Sequence, residues 1–213
     1  MVRKWTAVIP VKRLTAAKTR LRGAVPAVRH PELALAMVRD TVAAVLGAGS
    51  VTGLIVVTDD PEVSAAVTEL GALVTPDPGG GLNAAMRFGA DEAAGLGTHR
   101  VVLAGDLPAL RPEQLDEALA RMTGRGFVPD AAGIGTVLLA APAWTPLDPR
   151  FGGHSSAAHA ASGAALITGD WPGLRQDVDT ADDLGRVLSL GAGRRTCSLL
   201  RDLGLTTECA PAA

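Results

Sequence analysis

Along the first half of the chain, short apolar runs alternate with longer stretches in which apolar positions recur every three or four residues. Trp5-Thr6-Ala7-Val8-Ile9-Pro10-Val11 is a compact run rich in β-branched residues and reads as a buried strand. From 31 to 46, Leu33, Met37, Val38, Thr41, Val42 and Val45 fall at helical spacing, and Pro31 suits a helical first turn. Leu54-Ile55-Val56-Val57 is the next strand, 61–70 the next helix and 72–75 a third short strand. Pro76-Asp77-Pro78-Gly79-Gly80-Gly81 tolerates no regular element and must be a loop, after which a helix runs from Leu82 through 94. Residues 100–104 form a strand that stops at Gly105-Asp106-Leu107-Pro108, and Pro112 opens a helix to about 121.

Beyond Phe127 the pattern loosens. A turn at Gly133-Ile134-Gly135 leads into a strand over 136–139, and a Gly/Ser/His segment spans 151–163. Leu166-Ile167-Thr168 and Asp177-Val178-Asp179 follow, with helices over 181–190 and about 198–203. Strand and helix thus alternate at least three times, which predicts an α/β fold with a mostly parallel central sheet flanked by helices. No internal repeat or linker divides it, so residues 1–213 are read as a single domain.

Composition narrows the function classes. Lys+Arg number 20 against Asp+Glu 22, a formal net charge of −2, so nucleic acid is not expected as the principal partner. Two cysteines, Cys197 and Cys209, exclude a disulfide-dense scaffold and a four-cysteine zinc site, and a reduced, cytoplasmic setting is expected. Uncharged stretches at 41–58 and 131–147 are broken by glycine or proline, and Pro10 and Lys12 cut the first apolar run to about one strand. Neither a membrane span nor a signal peptide is expected.

In an open α/β sheet, ligands gather beyond the carboxyl ends of the strands. Those positions hold the segment from Lys12 to Arg22, Thr58-Asp59, the Gly79 to Asn83 loop and Gly105-Asp106. Neither glycine-rich phosphate signature is present, which argues against a P-loop enzyme and a dinucleotide oxidoreductase. In their place stand five cations in eleven residues, among which Lys12, Lys18 and Arg20 can surround a triphosphate, with a solvated basic loop as the alternative. Asp106 can hold Mg²⁺ beside substrate phosphates, or serve as a turn or helix-cap aspartate. In an extended segment Asp177 and Asp179 point the same way, and with Asp106 would make a divalent-metal site; the alternative is the cap of the following helix. Gly79-Gly80-Gly81 with Asn83 can let the backbone approach a purine while the amide reads its edge, though a surface loop fits as well. Arg150-Phe151-Gly152-Gly153-His154-Ser155-Ser156 offers N–H groups and hydroxyls at a helix start, with an ordinary serine N-cap as the alternative. His154 and His159 are not read as metal ligands, His30 and His99 are expected on the surface, and Trp5, Trp144 and Trp171 are expected in packing roles.

These residues, together with Ile9-Pro10-Val11-Lys12-x-Leu14-x-x-Ala17-Lys18-Thr19-Arg20-Leu21, Leu82-Asn83, Gly105-Asp106-Leu107-Pro108, Gly133-x-Gly135-Thr136, Arg150-Phe151-Gly152-x-x-Ser155 and Asp177-Val178-Asp179-Thr180, resemble the 2-phospholactate/phosphoenolpyruvate guanylyltransferases of coenzyme F420 biosynthesis. The resemblance covers residues from about 5 to 190. It implies a Rossmann-like nucleotidyltransferase fold of the nucleotide-diphospho-sugar transferase type, related to the molybdenum-cofactor guanylyltransferases. It also implies that an acceptor phosphate attacks the α-phosphorus of GTP and pyrophosphate leaves. Phosphoenolpyruvate is the acceptor expected for so Ala- and Gly-rich a chain, which resembles an actinobacterial protein; 2-phospho-L-lactate is the alternative acceptor.

Carried over residue by residue, the resemblance implies Mg²⁺ on Asp106, Asp177 and Asp179. Lys12, Lys18 and Arg20 would take the triphosphate, Gly81 and Asn83 the nucleotide, and Thr136, Gly152 and Ser155 the phospho-acid. A downstream transferase of the pathway is the implied partner. Ile134 stands where the family usually carries a threonine, and the stretch from Gly191 lies outside the strong match and receives no role. Competing readings are a related nucleotidyltransferase acting on a molybdopterin or sugar phosphate, and a GTP-binding regulatory protein of the same fold without turnover.

Overall fold

A computed structural model of the chain describes residues 3–16, 25–206 and 209. Among them, seven strands form one sheet in the order β3-β2-β1-β4-β6-β5-β7. The strands are β1 (Trp5–Pro10), β2 (Val51–Val57), β3 (Leu73–Thr75), β4 (His99–Leu103), β5 (Gly126–Pro129), β6 (Thr136–Ala141) and β7 (Ala165–Leu166). The main helices are α1 (His30–Gly47), α2 (Pro61–Thr68), α3 (Leu82–Arg87), α4 (Pro112–Ala120), α5 (Ser155–Ala161), α6 (Pro172–Arg175), α7 (Ala181–Leu190) and α8 (Arg194–Asp202). β1 to β4 are mutually parallel, β6 pairs antiparallel with both β4 and β5, and β7 returns parallel to β5. The expected mostly parallel sheet is therefore present, with one reversed strand in its interior.

Strand alternation places a layer of helices on each face. Ala7, Ile9, Leu54, Val56, Val101 and Leu103 pack on one side with Ala34, Val38 and Val42 of α1, Val63 and Val67 of α2, and Leu115 and Leu119 of α4. Val8, Ile55, Val57, Val102 and Leu139 face the other side, against Ala85 and Met86 of α3 and Ala90. The helix expected through 94 is α only to Arg87 and continues as a π-helix over Phe88–Ala93. There Gly89 lies so near the sheet that a Cβ would stand 2.5 Å from Val8 Cγ1 and 2.8 Å from Val57 Cγ2. Only a glycine lets the backbone come that close.

Within the stretch from Gly191, to which no role was assigned, Ala192, Cys197 and Leu200 belong to the core. Asp40 of α1 accepts the backbone N–H groups of Arg195 (3.1 Å) and Thr196 (2.8 Å) at the start of α8. Cys197 and Leu200 pack with Leu33, Met37, Leu184, Val187 and Val178. Cys197 is joined to Cys209 in a disulfide, Cα–Cα 5.6 Å, where the composition had suggested free thiols. Three other expectations are corrected: His30 is buried, with Nε2 3.0 Å from the Val25 carbonyl, His99 is half-buried and accepts the Ala143 N–H, and Trp144 is exposed while Trp5 and Trp171 are core. Among the described residues, no helix is long and apolar enough to cross a membrane.

Candidate active site

Four strand ends meet at one edge of the sheet. β1 ends at Pro10, β4 at Leu103 and β5 at Pro129, each running into that edge, while the reversed β6 starts there at Thr136. The Ala104 N–H donates to the Val137 carbonyl (2.9 Å), which draws Gly105-Asp106 beside the start of β6. A cleft of about 440 Å³ opens over these ends. Its lining includes Lys12, Asp106, Thr136, Phe151, Gly152, Ser155, Asp177 and Asp179, and also Asp130, which gave no functional signal in the sequence.

Each residue has a local reason for its place. Thr41 Oγ1 accepts the Leu107 N–H (3.0 Å), so α1 holds the turn that carries Asp106. Val11 N–H donates to the Val57 carbonyl (2.9 Å), and the Asp60 carboxylate, while capping α2, accepts the Leu14 N–H (2.9 Å), fixing Lys12 between two anchored neighbours. Burial opposes ionisation of Asp60, but the N–H groups of Leu14, Val63 and Glu62 outweigh it and hold its carboxyl below the usual range. Val178 is buried, so Asp177 and Asp179 on either side of it both face the cleft, as expected of an extended segment. The cap of α7 is formed instead by Thr180 and Asp183 in a capping box. Burial first, then the charges of Asp106, Asp179 and Asp130, push Asp177 up to about 7.

Also lining the cleft, Gly152 has φ +144° and Ser155 is the buried first residue of α5. Ser155 is not the helix cap; that position is His154. The Asp130 carboxylate accepts the N–H groups of Ile134 (2.9 Å) and Gly135 (2.8 Å), and the Ile134 carbonyl accepts the Ser156 N–H (3.0 Å). Ile134 thus acts through its backbone, its side chain lying exposed outside the cleft. Asn83 is committed elsewhere than expected: its amide donates to the Phe151 carbonyl (2.9 Å) and accepts the Phe151 N–H (2.7 Å). It clamps the loop at Phe151 to α3 rather than presenting its polar edge to the cleft, and neither it nor Gly81 lines the cleft. Lys18 and Arg20 lie outside the described residues.

Among the described residues, no three His, Cys, Asp or Glu side chains stand close enough together to enclose a metal ion by themselves. The donor chemistry nevertheless suits a hard divalent cation, since Mg²⁺ is commonly held by one or two carboxylates with substrate phosphates completing its shell.

A cleft lined by carboxylates, a lysine at a strand end and the hydroxyls of Thr136 and Ser155 is suited to bringing two phosphates together. The sequence pattern of the family described as "Guanylyl transferase CofC like" matches residues 5–212. The chain belongs to that family. The match includes the C-terminal helix that the sequence reading had set aside. A phosphoenolpyruvate guanylyltransferase of Salinispora arenicola is 55% identical over 204 residues, 93% of this chain and 94% of that protein. Another of Geodermatophilus obscurus is 52% identical over 207 residues, covering 93% and 95%. A nucleotide-diphospho-sugar transferase-like protein of Desulfovibrio desulfuricans G20 superposes with TM-score 0.72 at 17% identity, covering 95% of this chain and 96% of that one. That likeness establishes the nucleotide-diphospho-sugar transferase type of fold.

Proposed function

We propose that this protein is a phosphoenolpyruvate guanylyltransferase. A phosphate oxygen of phosphoenolpyruvate attacks the α-phosphorus of GTP, the bond to the β-phosphate oxygen breaks, and pyrophosphate leaves with formation of enolpyruvoyl-2-diphospho-5'-guanosine. The observation that carries this reading is a single cleft lined by Asp106, Asp177, Asp179 and Lys12 together with Thr136, Gly152 and Ser155. The relatives' names support the choice of acceptor.

The nucleophile is already an anion at neutral pH, so no strong general base is needed; the task is to hold two anions in line and receive the charge that develops on the leaving group. Lys12, with Lys18 and Arg20, would hold the triphosphate, while Thr136, Gly152 and Ser155 would orient the phospho-acid. Asp106, Asp177 and Asp179 would hold Mg²⁺, which when bound supplies charge neutralisation at the phosphates. Repulsion among the carboxylates facing Asp177 supports that assignment, since a cation would relieve it. The product would pass to a downstream transferase that accepts the activated phospho-acid.

Pyrophosphate release from GTP with Mg²⁺ tests the proposal, with phosphoenolpyruvate and 2-phospho-L-lactate offered separately and a coupling enzyme present to consume the product. Release with phosphoenolpyruvate is expected. Release confined to 2-phospho-L-lactate would move the acceptor, and GTP binding without release from either would replace the enzyme with a GTP-binding regulator.

A further inference from the structure

Behind the acceptor wall lies a histidine that the proposed reaction does not use. His159 of α5 is fully buried, its ring packed near Phe127 and edge-on to Phe151, with centroids 5.7 and 4.9 Å away. Both ring nitrogens have partners. Nε2 lies 2.9 Å from the backbone nitrogen of Arg150, and a backbone N–H can only donate, so Nε2 must present its lone pair. A neutral imidazole then carries its proton on Nδ1, which lies 2.9 Å from Thr136 Oγ1, and the Ser155 carbonyl that also engages the ring can only accept. The threonine oxygen accepts that proton's hydrogen bond, which leaves the hydroxyl's own hydrogen to turn away from the ring, and Thr136 lines the cleft. The opposite tautomer would set two N–H groups against each other at Arg150 and draw the Thr136 hydrogen into the ring. Thr136 would then show an arriving anion only lone pairs.

We infer that His159 is a positioning residue that fixes Thr136 as a hydrogen-bond donor toward the phosphate or carboxylate of the acceptor. The inference rests on the reading that the Thr136, Gly152 and Ser155 wall receives the phospho-acid. The same contact anchors the loop carrying Gly152, because the N–H held by Nε2 belongs to Arg150, two residues earlier.

Two measurements test it. The first is ¹⁵N–¹H correlation NMR of the wild-type histidine rings, which requires neither a variant nor turnover. A protonated Nδ1 and an unprotonated Nε2 on His159 are expected; the reverse tautomer would overturn the inference. The second compares KM for the phospho-acid and for GTP. An asparagine sets its amide at the depth of Nδ1 and a glutamine at the depth of Nε2. His159→Gln should therefore raise the phospho-acid KM about tenfold, the scale of one lost hydrogen bond to a charged group, with the GTP KM unmoved. His159→Asn should recover at least about threefold of that loss, and in a Thr136→Val background the glutamine penalty should vanish. Parallel rises in both KM values, or a penalty that persists without the threonine hydroxyl, would reduce His159 to a packing residue. Wild-type protein that releases no pyrophosphate would defeat the functional reading separately, while the NMR result would still judge the tautomer.

Discussion

Asp106 stands where β4 delivers it, beside the start of β6 and held from behind by Thr41. Asp106→Asn keeps the shape and removes the charge, so pyrophosphate release should fall at least about 100-fold with the melting temperature little changed; undiminished release would remove Asp106 from the chemistry. His159 gives a residue-scale pH signature. Burial first, then the positive charge of Arg125, with Arg150 adding to it and Asp148 and the Ser155 carbonyl opposing, lowers it to about 4. A folded value below the unfolded one means a stabilising contribution that is full above about 6.5 and drains away as pH falls toward about 4. Between pH 7 and 4.5 the wild type should therefore lose about 2 kcal/mol more stability than His159→Asn, by urea unfolding at both pH values. An equal loss in the two proteins would place the titration elsewhere. Asp106, Asp177 and Asp179 were legible in the sequence because each follows or lies within an extended segment. Asp130 obeys the same rule but was hidden, because Phe127 to Pro129 was not recognised as a strand. His159 gave no signal, since its role depends on two atoms brought to it by β6 and by the loop at Arg150.

At the scale of elements, the part of the cleft proposed to receive the phospho-acid is assembled by contacts between segments far apart in the chain. Asn83 ties α3 to Phe151 with both ends of its amide, so Asn83→Ala should loosen the loop carrying Gly152. The expected result is a phospho-acid KM raised several-fold, about five- to tenfold, with the preference for GTP over ATP intact. A lost nucleotide preference would restore Asn83 to reading the base. The helices α1, α2, α4 and α7 are close to their sequence expectations because one buried face imposes one period, and β1, β2 and β4 because a strand covered on both faces reads as a short apolar run. β5, a four-residue strand ending in proline, was less legible, and although β6 was expected as a strand its reversed direction was not, because strand direction leaves no trace in hydrophobic pattern.

Across the whole molecule, the C-terminal helix supports the site at a distance. Val178, between the two cleft aspartates, packs in the same cluster as Cys197 and Leu200 of α8, and Asp40 pins that helix to α1. Asp40→Ala should lower stability by about 2 kcal/mol, the upper range for a lost helix cap with buried N–H groups. Pyrophosphate release should fall with it as Asp177 and Asp179 lose their backing; full activity in a destabilised variant would show that the aspartates are held without α8. The sequence by itself determined the α/β class, the succession of strands and helices along the first half of the chain and the kinds of group available at the strand ends, because periodicity, turn residues and charge are local properties. Tertiary structure alone decided that β6 runs backward, so that Thr136 meets Asp106 at one edge, that the Asn83 amide bonds the Phe151 backbone, and that His159 lies between Thr136 and the Arg150 N–H. Each of these depends on which partner a polar group finds across the fold, and a linear pattern does not contain that partner.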